Sequence, residues 1–177
     1  MANIDDFKAN LIGGGARANQ FRVTITPPPG IAIGLDVRRA SFLVTAAQLP
    51  ASTLGEIAVP FRGRTIYVSG DRPAPEQWTT SFYNDTDFMI RNAMERWSNG
   101  INDFANNTGL TNPADFQTDL QVEQLDRDDT ILKTYILRNC FPTSIAEIAL
   151  DMSANDAIET FGVTWKYTHL EASGVNF

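Results

Sequence analysis

Residues 56–69 read Glu56-Ile57-Ala58-Val59-Pro60-Phe61-Arg62-Gly63-Arg64-Thr65-Ile66-Tyr67-Val68-Ser69. Two β-prone arms, Glu56–Phe61 and Thr65–Ser69, flank Arg62-Gly63-Arg64, which has the length and chemistry of a hairpin turn. Ile57, Val59 and Phe61 alternate on the first arm, and Ile66 and Val68 on the second. Ala58 and Pro60 are apolar too, so neither face of the first arm suits water. Pro60 has no N–H to give to a ladder, which assigns its arm to a sheet edge or a bulge. A two-stranded ribbon is marginal by itself. This one, apolar with a basic tip, needs a surface to lie against, either the chain's own core or another copy.

Outward from the hairpin, the chain reads as short strands and one helix. Upstream, residues 1–20 form a flexible arm with a helical turn at Asp5–Leu11, and Phe21–Thr26 alternates as a strand with one buried face. Pro27-Pro28-Pro29-Gly30 ends it, and Ala40–Ala47 is the expected partner strand. Downstream, Glu76–Tyr83 alternates Trp78, Thr80 and Phe82 against its polar neighbours. From Thr86 to Ser98 the residues Ile90, Ala93, Met94 and Trp97, continued by Ile101, make one apolar helical stripe. Asp85 or Thr86 can cap that helix and Asn99-Gly100 can stop it. An irregular stretch follows, and then the strands Thr118–Leu125 and Thr130–Arg138, joined at Asp126–Asp129. Ser144–Met152 has helical spacing at Ile145, Ile148, Ala149 and Met152. Phe161, Val163, Trp165 and Tyr167 mark a long last strand with one aromatic face. The sum is a mainly β chain, an antiparallel β-sandwich or barrel with one flanking α-helix and an extended β-hairpin, all within one domain, 1–177.

Composition excludes several functions. At 177 residues, 43% hydrophobic and 20% charged, the chain can bury a core. It holds no eighteen-residue apolar run, and its start lacks the basic and apolar regions of a secretory signal. Cys140 has no partner within the chain for a disulfide, which fits a reducing compartment. A net charge of −7 argues against gripping nucleic acid, although it permits a surface that nucleic acid slides past.

Catalytic and cofactor signatures fail one by one. Gly13, Gly15 and Ala18 have dinucleotide-fingerprint spacing, but a strand follows them where a helix is needed. Asp126–Asp129 lacks the glycine and glutamate that a calcium loop needs at its sixth and twelfth positions. His169 is the sole histidine, so no multi-histidine metal site exists, and no spacing brings it to Cys140. No enzyme activity, cofactor or metal is expected.

Several pieces of the chain, in order, carry a resemblance. They are Asn19-Gln20-Phe21, Leu49-Pro50, the hairpin, Gly70-Asp71-Arg72, Trp78, Asn84-Asp85, Phe141-Pro142-Thr143, Leu150-Asp151-Met152 and Ile158-Glu159-Thr160-Phe161 with Val163. Spread from about Phe7 to Glu171, they resemble the tail tube proteins of contractile-tailed bacteriophages. The resemblance implies a tail-tube or Hcp-like fold, with 144–152 as strand. It also implies hexameric rings that stack into the virion's inner tail tube, the channel for genome ejection. A tail sheath would lie outside, with baseplate and tail terminator at the ends, and DNA would pass through without specific binding. Such a protein is made in the host bacterial cytoplasm and touches no membrane. By position, 49–72 is the hairpin for ring stacking, with Ile57, Val59, Phe61, Arg62, Arg64, Ile66 and Val68 as its contact set. Asp119, Gln121 and Glu123, opposite Leu120 and Val122, are the expected lumen-facing set, an acidic polar wall that does not trap DNA. Two alternatives remain open on the sequence. One is the inner tube of a type VI secretion or extracellular contractile injection system. The other is a monomeric β-barrel binding module with its hairpin folded over its own pocket.

Overall fold

The alternating segments become strands in the computed structural model, which describes residues 3–174. In chain order the elements are α1 (Ile4–Asn10), β1 (Phe21–Ile25), α2 (Val37–Leu43), β2 (Val44–Ala47), β3 (Glu56–Phe61), β4 (Arg64–Ser69) and β5 (Trp78–Tyr83). There follow α3 (Met89–Ile101), the single turn α4 (Pro113–Phe116), β6 (Thr118–Leu125), β7 (Ile131–Ile145), β8 (Thr160–Lys166) and β9 (His169–Ala172). A seven-stranded antiparallel sheet runs β1-β6-β7-β8-β5-β2, with β9 beside the first half of β7. The pair β3–β4 forms a sheet of its own.

The long strand β7 joins two halves of the large sheet. Its first half pairs with β6 and β9, and its second half, from Phe141, pairs with β8. Between the halves Asn139 takes a positive φ of 56°, and the register shifts where β6 passes it. Such a bulge bends a strand and re-aims it. The Asn139 N–H donates to Asp119 Oδ1 at 3.1 Å, so the bend is hydrogen-bonded. One continuous core results, with Val23, Leu120, Val122 and Leu137 from one half and Phe82, Phe161, Val163 and Trp165 from the other. Helix α3 adds Ile90, Ala93, Met94 and Trp97 to that core, the stripe expected from its spacing. Trp97 and Trp165 meet edge to face at 5.5 Å between centroids. The buried indole N–H groups are satisfied, Trp165 donating to Thr80 Oγ1 at 2.9 Å and Trp97 to the Phe116 carbonyl at 2.8 Å.

Five expectations need correction. Ala40–Ala47 is not a strand throughout. Its first residues belong to α2, which Asp36 caps through the N–H groups of Arg38 and Arg39, and only Val44–Ala47 is β2. Helix α3 starts at Met89 rather than Thr86, because Phe88 sits in the left-handed region at φ 53°. Neither Asp85 nor Thr86 caps it; Asp87 Oδ1 accepts from the Met89 N–H instead. Gly100 lies inside the helix, where a Cβ would come within 2.8 Å of Ile31 Cδ1. Beyond Ile145, the segment to Met152 is neither strand nor helix, and Leu150 and Met152 point to solvent. The last long strand breaks after Lys166, and β9 follows as a separate strand.

Candidate assembly interface

The hairpin turn is tighter than three residues. Arg62 and Gly63 alone make it, with φ of 44° and 78°, the pair of positive values that a type I′ turn requires. Arg64 is the first residue of β4 and faces Phe61. Ile57 pairs with Val68 and Val59 with Ile66, so these four share a face with Phe61 and Arg64. The other face carries Ala58, Pro60, Thr65 and Tyr67. At the base, the Gly55 N–H donates to the Asp71 carbonyl at 2.9 Å. A Cβ on Gly55 would stand 2.7 Å from that oxygen, so the closing contact needs glycine. The structure thus brings the whole contact set together.

Nothing in the described chain covers this ribbon. Every strand residue of β3 and β4 is exposed, Phe61 at 56% and Ile66 at 51%. The hairpin does not fold over a pocket of its own chain. A groove of about 460 Å³ opens at its base, lined by Leu49, Pro50, Arg72, Trp78 and His169 among others. The N-terminal arm is similar in kind. Asn3 and Asp6 form a capping box on α1, yet Ile4 and Phe7 on it, and Ile12 just beyond, are all exposed. A seven-residue helix with no buried side chain has little to hold it in isolation.

The second surface is the face of β1, β6, β7 and β9 opposite the core. Asp119, Gln121 and Glu123 all lie on it, since Leu120 and Val122 point inward. The acidic character expected there is modified by two arginines. Arg22 pairs across the strands with Glu123 at 3.4 Å, and Gln121 Nε2 donates to the other Glu123 oxygen at 2.7 Å. Arg138 grips Glu171 with two donors, Nε at 3.1 Å and Nη2 at 2.8 Å, and Asp119 with Nη1. The hydrogen bonds from Arg138 hold the Glu171 carboxyl below the usual carboxylate range. Arg22 was legible as a polar position of the first strand. Arg138 and Glu171 were not, because only the register of β9 against β7 brings them together.

The groups that could do chemistry stay apart. Cys140 is buried, its Sγ donates to the Leu137 carbonyl at 3.2 Å, and burial pushes the thiol up to about 12. His169 is exposed and faces Arg138 in the ladder. Among the described residues no cluster of His, Cys, Asp and Glu could hold a metal ion.

Comparison with known proteins agrees with these surfaces. The family model for phage tail tube proteins matches residues 16–172. A tail tube protein of Serratia phage KSP90 is 32% identical over 169 residues, covering 94% of this chain and 95% of that protein. The tail tube protein gp19 of Enterobacteria phage T4 is 31% identical over 163 residues, covering 91% and 94%. In fold, the chain is similar to the tube-terminating cap of the anti-feeding prophage, with TM-score 0.65, 20% identity and 89% and 90% coverage. It is also similar to a chain of the sheath–tube complex of the extracellular contractile injection system PVC, with TM-score 0.64, 15% identity and 95% and 97% coverage. With the family model spanning most of its length and two phage relatives above 30% identity, the chain belongs to the phage tail tube protein family.

Proposed function

We propose that copies of this chain close into hexameric rings and that the rings stack, through the hairpin, into the inner tail tube of a contractile virion. The observation that carries this reading is a wholly exposed apolar hairpin in a member of a tube-forming family. Covering the Ile57–Phe61 face against a second ring contributes about 1 kcal/mol for each half-exposed side chain, before ordering costs. A heterologous contact of this kind repeats along an axis without closing, which grows filaments.

Ring closure has its own support. The strands β1, β6, β7 and β9 alternate in direction, and among the described residues no strand pairs with the outer edge of β1 or of β9. Set beside each other in neighbouring copies, β9 and β1 run antiparallel, so a ring of copies makes one continuous barrel with no free edge. The polar face then lines the channel, and DNA passes along it unbound. The sheath packs outside, and baseplate and terminator close the ends. The role is structural, without catalysis, and the protein is made in the host cytoplasm. Sequence relatives above 30% identity come from phages, which favours a virion over an injection particle.

Size-exclusion chromatography and negative-stain microscopy of the wild-type chain and of Phe61→Asp test the reading. Wild-type protein should form long tubes, and Phe61→Asp only single rings or protomers. Tubes of normal length from Phe61→Asp would refute hairpin-driven stacking.

A further inference from the structure

We infer that the channel wall meets nucleic acid with carboxylates and guanidiniums already locked to one another, and that Arg138 is the positioning residue that keeps both signs masked. The inference rests on the polar face of β1, β6, β7 and β9 lining the channel, as proposed above. That face carries Asp119, Glu123 and Glu171 against Arg22 and Arg138, which leaves one negative charge in excess with His169 neutral. The chain as a whole carries −7, so most of its surplus acid lies away from this face.

Arg138 occupies the centre of the arrangement. It sits on β7 between Asp119 on β6 and Glu171 on β9, and its Nε, Nη1 and Nη2 are all spent on these two carboxylates. A free guanidinium is the side chain best shaped to grip a phosphate, so one on every copy around a ring would hold a passing duplex. Three free carboxylates per copy would instead gather cations and repel the duplex. The fork avoids both. Each charge is answered within about 3 Å, and the field fades over a few ångströms instead of reaching the channel axis. Glu123 is secured in the same way by Arg22 and Gln121, and it is 6% exposed.

The test unmasks the arginine without removing its neighbours' shape. Asp119→Asn with Glu171→Gln keeps both acceptor oxygens, including the one that receives the Asn139 N–H, while it strips their charge. Tubes of this variant should retain a short fluorescent duplex at low salt about tenfold more than wild-type tubes, with protection from nuclease. Retention should fall linearly in log–log against salt. Arg138→Gln tubes should retain no more than wild type, which separates unmasked charge from general loosening of β9. Glu171→Gln alone, should the double variant not assemble, is expected to retain the duplex several-fold above wild type. Double- or single-variant tubes that retain no more duplex than wild type would overturn the inference. A Gln121→Cys control separates that failure from failure of the channel assignment, because buried Cys140 does not compete for thiol reagents. In assembled tubes, small maleimides should label the new thiol and maleimide-coated gold should not. Labelling by gold along the tube wall would refute the channel assignment itself.

Discussion

Strands β3 and β8 have nearly the same apolar pattern and opposite fates. Ile57, Val59 and Phe61 alternate on β3, as Phe161, Val163 and Trp165 do on β8. The β8 set is almost fully buried, pressed between β5, β7 and helix α3. The β3 set stands half exposed on a ribbon that touches only its own second arm. Alternation reports that a strand has a face to cover. It does not report whether the cover is intramolecular, and here the chain has two answers for one pattern.

Breaking the buried side should have the largest effect. Trp165→Ala removes the edge-to-face partner of Trp97 and leaves the buried Thr80 hydroxyl without its donor. It should destabilise the protomer by about 4 kcal/mol, a fall of about 10 °C in Tm measured by calorimetry. Phe61→Asp, by contrast, should leave protomer Tm within about 2 °C while abolishing tubes, since no intramolecular packing is lost. If the two substitutions lowered protomer Tm equally, the contrast between the strands would be false.

Acid should also act on the body rather than the ribbon. Arg39 joins α2 to the start of α3 through Asp85 and Asp87, and hydrogen bonds from Arg39 lower both carboxyls from an ordinary 3.8. Glu171, held by Arg138, is lowered from 4.5. A lowered carboxyl contributes stability above its unfolded value and loses it as pH falls through its folded one. Protomer Tm should therefore fall as pH drops below about 4.5, and Arg39→Gln should start lower at pH 7 and fall less. The smallest expected effect is at the hairpin tip. Arg62→Asn places a residue suited to positive φ before Gly63 and should stabilise the ribbon by about 0.5 kcal/mol, read as slower exchange of its amides.

How far the sequence could be read follows from the same contrast. Local alternation located β1, β3, β5, β6 and β8, and helical spacing found the α3 stripe, because each signal lies within a few residues. The α2 helix was hidden inside a β-branched run, since Asp36, which caps it, lies outside that run. Helix α3 began late because Phe88 adopts a left-handed φ that no propensity announces. The segment after Ile145 kept its apolar residues exposed, so its helical spacing answered to no core. The hairpin contact set was legible down to the facing pairs. The charge balance of the inner face was not, because Arg138 meets Asp119 and Glu171 only through the ladders of β7 with β6 and β9.

Amide hydrogen exchange followed by mass spectrometry, comparing protomer with assembled tube, tests most directly whether other copies cover the ribbon. The account predicts that 56–69 exchanges freely in the protomer and is strongly protected in the tube, while Leu120–Leu125 is protected in both. Equal exchange of 56–69 in the two states would contradict it.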